Sequence, residues 1–241
     1  MPNRRVLCHL LIPGLSSRFM KNKLPISCAK AVLPAIAIVL FFTSAICTLG
    51  QTPDAKPLRV ACIGDSITYG AGIPNAVDHY PEQLGKLLGA KWVVKNFGQN
   101  GACVRKKGER PYLNLPTLKA PLAYAPDVVV IMLGVNDLST LTPETILEFE
   151  IDYQELIAPF TTLPAKPRIF LCYPTPYGGE AAQKMERDVI RKLAEKNDCG
   201  LIDLNTPLRD KPELFPDHCH PNAAGATIMA REVGKALADP K

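Results

Sequence analysis

The chain has 241 residues, enough for one sizeable domain and short for two. It carries 28 Lys and Arg against 23 Asp and Glu, a formal charge of +5. Residues 1–50 hold six of the bases and no acid, which leaves 22 bases and 23 acids, net −1, for residues 51–241, so charge excludes nucleic acid as a partner.

In chain order, Arg4, Arg5, Arg18, Lys21, Lys23 and Lys30 precede the uncharged run AVLPAIAIVLFFTSAICTLG (31–50), the order of an export signal. The string MKNKLPISCAK from Met20 is a complete basic n-region by itself, which makes Met20 an alternative start to Met1. Small residues at Ala45 and Gly50 offer cleavage sites. Two readings of residues 1–50 stand. One is a removed signal peptide, favoured by Pro34 and by the Thr and Ser after Phe42; the other is an uncleaved anchor, since about 20 apolar residues can span a bilayer. The remainder is expected to be exported, periplasmic or extracellular, with membrane contact only if the anchor is retained. QTPDAKP (51–57) reads as a linker, and residues 58–238 as the folded domain.

Within that domain, Leu58–Ile63 reads as a strand, Tyr80–Leu88 as a helix and Trp92–Phe97 as a second strand. Residues 103–121 are looser, basic and Pro-rich. PDVVVIML (126–133) has β-branched residues in succession without alternation, as expected of a strand covered on both faces of a parallel sheet. Thr142–Phe160 predicts a helix, with Pro143 at the first helical position and Glu144 in the first turn. Arg168–Cys172 is a fourth strand, Glu180–Asn197 a helix, Gly200–Leu204 a fifth strand and Pro221–Leu237 a closing helix. The alternation predicts an α/β fold: a three-layer α/β/α sandwich around a mainly parallel five-stranded sheet.

Sites in such folds gather at the carboxyl ends of strands. The first strand runs directly into GDSIT, with Ser66. The second is followed by NFGQNGA, with Gly98 and Gly101. The third leads to GVND, with Asn136, and PDHCHPN before the last helix holds Asp217 three residues ahead of His220. These residue types suit one chemistry. A serine hydroxyl becomes a nucleophile when a histidine takes its proton and a carboxylate fixes the imidazole tautomer. Asp-x-x-His lets one turn of chain supply both groups. The oxyanion then needs donors held in advance, and glycine admits a close backbone N–H while an Asn amide can donate beside it.

GDSIT, NFGQNGA, GVND and DHCHPN resemble, in order and at fitting separations, the four signature blocks of the GDSL, or SGNH, hydrolases. The resemblance covers about residues 58–238. It implies a flavodoxin-like three-layer fold and no cofactor. It also implies Ser66 as nucleophile, an oxyanion hole from Ser66, Gly101 and Asn136, and Asp217 and His220 as the relay. The G-x-S-x-G elbow of the α/β-hydrolases is absent, since Thr68 stands at its second glycine. Asn100 stands where family members often have serine, and DHCH replaces the commoner Asp-Gly-hydrophobic-His. The block spacing and the stretches NFGQNGACVRKKGERPY and LIDLNTPLRDKPELFPD look most like the bacterial carbohydrate-acetyl and sialate O-acetylesterase-like branch. That implies a glycan or other small-molecule ester as substrate. A lysophospholipase or arylesterase of the same superfamily is the second reading. A non-catalytic carbohydrate-binding module is a third, from another class.

The remaining polar residues have plainer expectations. Asp65 and Asp137 are expected to brace nearby backbone, His79 to be structural or at the cleft rim, and His218 to point away from the relay. RKKGER (105–110) reads either as a solvated loop or, with Asn100, Arg105, Lys106 and Lys107, as an anion-facing rim for an acidic sugar. Five cysteines lie beyond residue 50, without a C-x-x-C pair and with three histidines, which indicates neither a zinc site nor a full disulfide framework. Cys62 and Cys172 are expected to be buried; Cys103 and Cys219, flanking site residues, are a candidate pair if the chain is exported.

Overall fold

The computed structural model describes residues 56–239, so the expected leader and nearly all of the expected linker lie outside the described residues. Strands β1 (Leu58–Gly64), β2 (Trp92–Gly98), β3 (Val128–Met132), β4 (Arg168–Tyr173) and β5 (Gly200–Asp203) form one sheet in the order β2-β1-β3-β4-β5. Every pairing is parallel. Helices α1 (Ser66–Tyr69), α2 (Tyr80–Leu88), α3 (Lys119–Ala123), α4 (Ile146–Thr161), α5 (Glu180–Lys196) and α6 (Ala223–Ala238) make the connections. Among the described residues no helix is long and apolar enough to cross a membrane.

The sheet is covered on both faces because its strands are apolar on both. Val60, Cys62, Val128, Val130 and Met132 pack with Tyr80 and Leu84 of α2 and Met229 and Val233 of α6. The alternate residues Ala61, Ile63, Val129 and Ile131 pack with Phe149, Tyr153 and Phe160 of α4 and Ile190 and Leu193 of α5. The period of two assigns each set to its face. Truncating a fully buried ring such as Phe149 to alanine would cost roughly 3–5 kcal/mol.

β1 lies between β2 and β3, and its register sets Gly64 level with Gly98 on one side and Met132 on the other. Chain leaving β1 and chain leaving β3 depart from adjacent strand ends, which opens a crevice at the switch point of the sheet. The motif-bearing loops emerge around that crevice.

Two expectations are corrected. α4 begins at Ile146 rather than Thr142. The Thr145 hydroxyl accepts the Thr142 N–H and donates to the Thr140 carbonyl, both at 2.8 Å. That closes a separate turn, so Pro143 precedes the helix instead of opening it. Residues 103–112 are not loose either. Cys103 N–H donates to the Arg110 carbonyl at 3.0 Å and Tyr112 N–H to the Cys103 carbonyl at 2.9 Å. The buried Tyr112 hydroxyl then donates to the Phe97 carbonyl at 2.7 Å, fastening the loop to the end of β2.

Candidate active site

The turn after β1 is built by Asp65. Its side chain is fully buried, and Oδ1 accepts the Ile67 N–H at 2.9 Å, capping α1. Ser66 is the first residue of that helix, so its own N–H precedes the first intrahelical bond and stays available as a donor. The Tyr69 N–H reaches the Asp65 carbonyl and the Gly70 N–H the Ser66 carbonyl, each at 2.9 Å. This turn sits directly on the end of β2. A Cβ at Gly98 would collide with the Tyr69 amide nitrogen, so the glycine of the second block is required by close approach. The His79 ring packs against Gly70 and bonds the Ile73 carbonyl at 3.1 Å, a structural contact.

The loop before α6 is fixed at its far end. Asn222 donates its N–H to the Leu214 carbonyl at 2.8 Å, and its side-chain oxygen caps α6 through Ala224 and Gly225. Asp217 Oδ1 accepts the N–H groups of Cys219 and His220 at 3.0 and 2.7 Å, while Oδ2 lies 2.7 Å from His220 Nδ1. His220 Nε2 lies 2.8 Å from Ser66 Oγ. An ionised carboxylate only accepts, so Nδ1 carries the proton and Nε2 presents its lone pair to the serine hydroxyl. The His220 backbone N–H, with its ring, holds the Asp217 carboxyl well below the usual carboxylate range. His218 is exposed and faces a small separate cavity with Pro176, Lys211 and Phe215.

Gly101 and Asn136 follow β2 and β3. Gly101 has φ 71°, the left-handed region that favours glycine, and a Cβ there would meet open space, so conformation rather than room selects the residue. Asn136 Nδ2 donates to the Ala102 carbonyl at 2.9 Å, tying the two loops together, and the amide keeps a second N–H for another acceptor. Asp137 braces the same loop: its carboxylate accepts the N–H groups of Val104 and Arg105 at 2.8 and 2.9 Å. The arrangement can pass a proton from a hydroxyl to an imidazole.

The basic run is paired with acids rather than left as free cations. Arg105 is buried; its guanidinium bonds the Thr140 hydroxyl and Glu148, each at 2.9 Å. Lys106 pairs with Glu155 at 2.9 Å and Asp152 at 3.4 Å, and Lys107 with Glu148 at 2.6 Å. The Asp152 carboxylate also accepts the Lys106 N–H at 2.7 Å. Glu148, Asp152 and Glu155 escaped the sequence reading, although their i, i+4, i+7 spacing on one helix face opposite a basic run was the available signal. Asn100 stays exposed beside Gly101, its carbonyl taking an N–H from Arg110 at 2.9 Å.

Beneath these loops lie three buried acids: Asp65, Asp137 and Glu186 of α5. Burial pushes the Asp65 carboxyl up to about 7 and Asp137 to about 6. Glu186, 2 % exposed and set against Gly134, is driven well above the ordinary 4.5 by burial and then by the charges of Asp137 and Asp65. Asp65 Oδ2 and Glu186 Oε1 have no hydrogen-bond partner among the described residues. An unfolded chain releases these protons near the ordinary values while the folded chain retains them. Stability therefore falls as pH rises, for Asp65 between 3.8 and about 7 and for Glu186 from 4.5 upward, by up to about 1.4 kcal/mol per pH unit for each group. Glu186→Gln removes its share, so the variant is expected to gain stability over the wild type between pH 5 and pH 8. Urea midpoints at the two pH values measure this; an equal difference at both would show that Glu186 ionises freely in the folded state.

Among the described residues no group of three or more His, Cys, Asp or Glu side chains is arranged to hold a metal ion. Cys62 and Cys172 are buried as expected, but Cys103 and Cys219 are both free thiols. The candidate pair does not form because Cys103 turns into its own loop, its thiol donating to the Arg105 carbonyl at 3.6 Å beneath Gly108. A cavity of about 560 Å³ adjoins Gly101 and Asn136. Another of about 560 Å³ lies around Lys166, Arg168 and Asp198 at the amino ends of β4 and β5, the edge opposite the motif loops.

An acetylxylan esterase of Xylanibacter ruminicola is 35% identical over an aligned length of 211 that covers 77% of this chain and 44% of that protein, so the chain spans under half the length of that curated relative. The crystal structure of the acetyl xylan esterase AlAXEase is matched with a TM-score of 0.60 at 27% identity, over 75% of this chain and 100% of that one. The native aryl esterase of M. smegmatis is matched in fold with a TM-score of 0.60 at 21% identity, over 76% and 100%. Residues 62–228, which hold all four motif blocks, match the model of one family. The chain belongs to the GDSL-like lipase/acylhydrolase family.

Proposed function

We propose that this protein is a serine ester hydrolase that removes acetyl groups from carbohydrate hydroxyls by way of an acyl-enzyme. The observation that carries the reading is the relay of Ser66 Oγ, His220 and Asp217, at 2.8 and 2.7 Å. His220 Nε2 takes the hydroxyl proton as Oγ attacks the ester carbonyl, and the Asp217 carboxylate steadies the imidazolium. The N–H groups of Ser66 and Gly101 and the second amide N–H of Asn136 receive the oxyanion. His220 then gives its proton to the departing sugar oxygen, and a water activated by the same nitrogen releases acetate.

The carbohydrate half of the reading is supported by the relatives named acetylxylan esterase and acetyl xylan esterase. Export is proposed on the charge-then-apolar order of residues 1–50. A series of p-nitrophenyl esters, with acetylated xylan beside it, tests the substrate. Rates are expected to collapse from acetyl to octanoyl, with acetate released from the glycan. Similar rates along the series would move the protein to the lysophospholipase or arylesterase reading. Glycan binding without acetate release would make it a binding module.

A further inference from the structure

We propose that the cavity beside the oxyanion donors is the subsite for an uncharged sugar residue in the alcohol half of the substrate; this rests on the esterase reading above. Gly101 and Asn136 form part of its wall, so whatever fills it adjoins two of the proposed oxyanion donors. Its volume of about 560 Å³ lies within the range of ligand pockets and far exceeds the need of an acetyl methyl. Two occupants have the size, a sugar ring or a long acyl chain. The wall decides between them.

Ser139, in a 3-10 turn (Val135–Thr140) after Asn136, lines the cavity with a polar side chain, and Lys107 and Glu109 supply charged groups from the facing loop. An acyl chain gains by leaving water for apolar walls, at about 25 cal/mol per Å², and here it would instead cover polar groups and leave them unsolvated. A sugar ring brings its own donors and acceptors. Charge narrows the class further. The two cations of the wall, Arg105 and Lys107, are both paired to Glu148, and Glu109 adds a second carboxylate, so two positive groups meet two negative ones. A uronic or sialic acid carboxylate meets cations already paired to Glu148 and the carboxylate of Glu109, whereas a neutral pyranose meets Ser139, the Asn136 amide and paired charges.

The test compares wild type with Ser139→Phe, which fills the cavity from an exposed position, and with Glu109→Gln. The substrates are acetylated xylobiose, acetylated methyl glucuronoside, ethyl acetate and an octanoyl ester. Ser139→Phe is expected to lower the ratio of kcat/KM for acetylated xylobiose to that for ethyl acetate at least about tenfold. Wild type is expected to prefer the neutral sugar to the acidic one, and Glu109→Gln to narrow that preference. An unchanged ratio in Ser139→Phe, a selective loss of octanoyl hydrolysis, or a wild-type preference for the glucuronoside would each overturn the subsite while leaving the esterase intact. A wild type inactive on every ester would overturn both.

Discussion

Replacing Ser66 with alanine is expected to lower kcat on acetyl esters by about a million-fold, the loss typical when the nucleophile of such a relay is removed. The change deletes the hydroxyl that His220 Nε2 is placed to deprotonate, 2.8 Å away, and leaves the turn intact, because Asp65, not the serine side chain, caps α1. Folding stability should therefore shift by no more than about 1 kcal/mol, the worth of one hydrogen bond. Two measurements check it. Wild type should be inactivated by an organophosphonate bound at Ser66, and the alanine variant should take up no label while its thermal unfolding matches wild type. A variant retaining a hundredth of the wild-type rate would show that the attacking oxygen comes from elsewhere.

Asp217→Asn is expected to cost about 10⁴-fold in kcat, with KM little changed. The carboxylate does two things at once: Oδ1 collects the backbone N–H groups of Cys219 and His220, and Oδ2 receives the ring proton on Nδ1. An amide has one oxygen. If that oxygen keeps the backbone, the NH2 faces Nδ1 and forces the proton onto Nε2, so the imidazole offers Ser66 a donor in place of a base. Because His220 holds the Asp217 carboxyl well below its ordinary range, the carboxylate remains ionised at any pH where the fold is assayed, and loss of rate on acidification is not assigned to its titration. Asp217→Ala provides the contrast, since it removes the backbone brace as well and should also raise KM through a mispositioned loop. Equal kinetics for the two variants would mean that tautomer control is not what the carboxylate supplies.

The buried acids connect stability to the site. Asp65 holds the serine turn, Asp137 holds the loop that carries Gly101, and Glu186 presses on Gly134 just ahead of Asn136. Asp65 follows β1 and Asp137 follows β3, while Glu186 reaches the same region from α5. Asp65 and Asp137 offset part of their burial by accepting backbone N–H groups that would otherwise be orphaned beneath the crevice.

The amino-acid sequence alone determined the element order, most strand and helix limits to within about two residues, and the Asp-x-x-His relay, because each depends on near neighbours. β-Branched runs mark buried strands wherever they occur, and three residues of spacing place a carboxylate and an imidazole on one turn. The short helices α1 and α3 were not legible, being too brief to show a helical period, and the start of α4 was decided by the Thr145 hydroxyl, which closes a separate turn ahead of the helix. Tertiary structure alone decided what spans the chain: the meeting of Ser66 with His220 across 154 positions, the neutralising of Arg105, Lys106 and Lys107 by α4, and the burial of Glu186 within a helix most of whose other charges are exposed. A charged side chain has the same letter whether it is solvated, paired or buried. Only the way the helices cross the sheet determines which of the three it becomes.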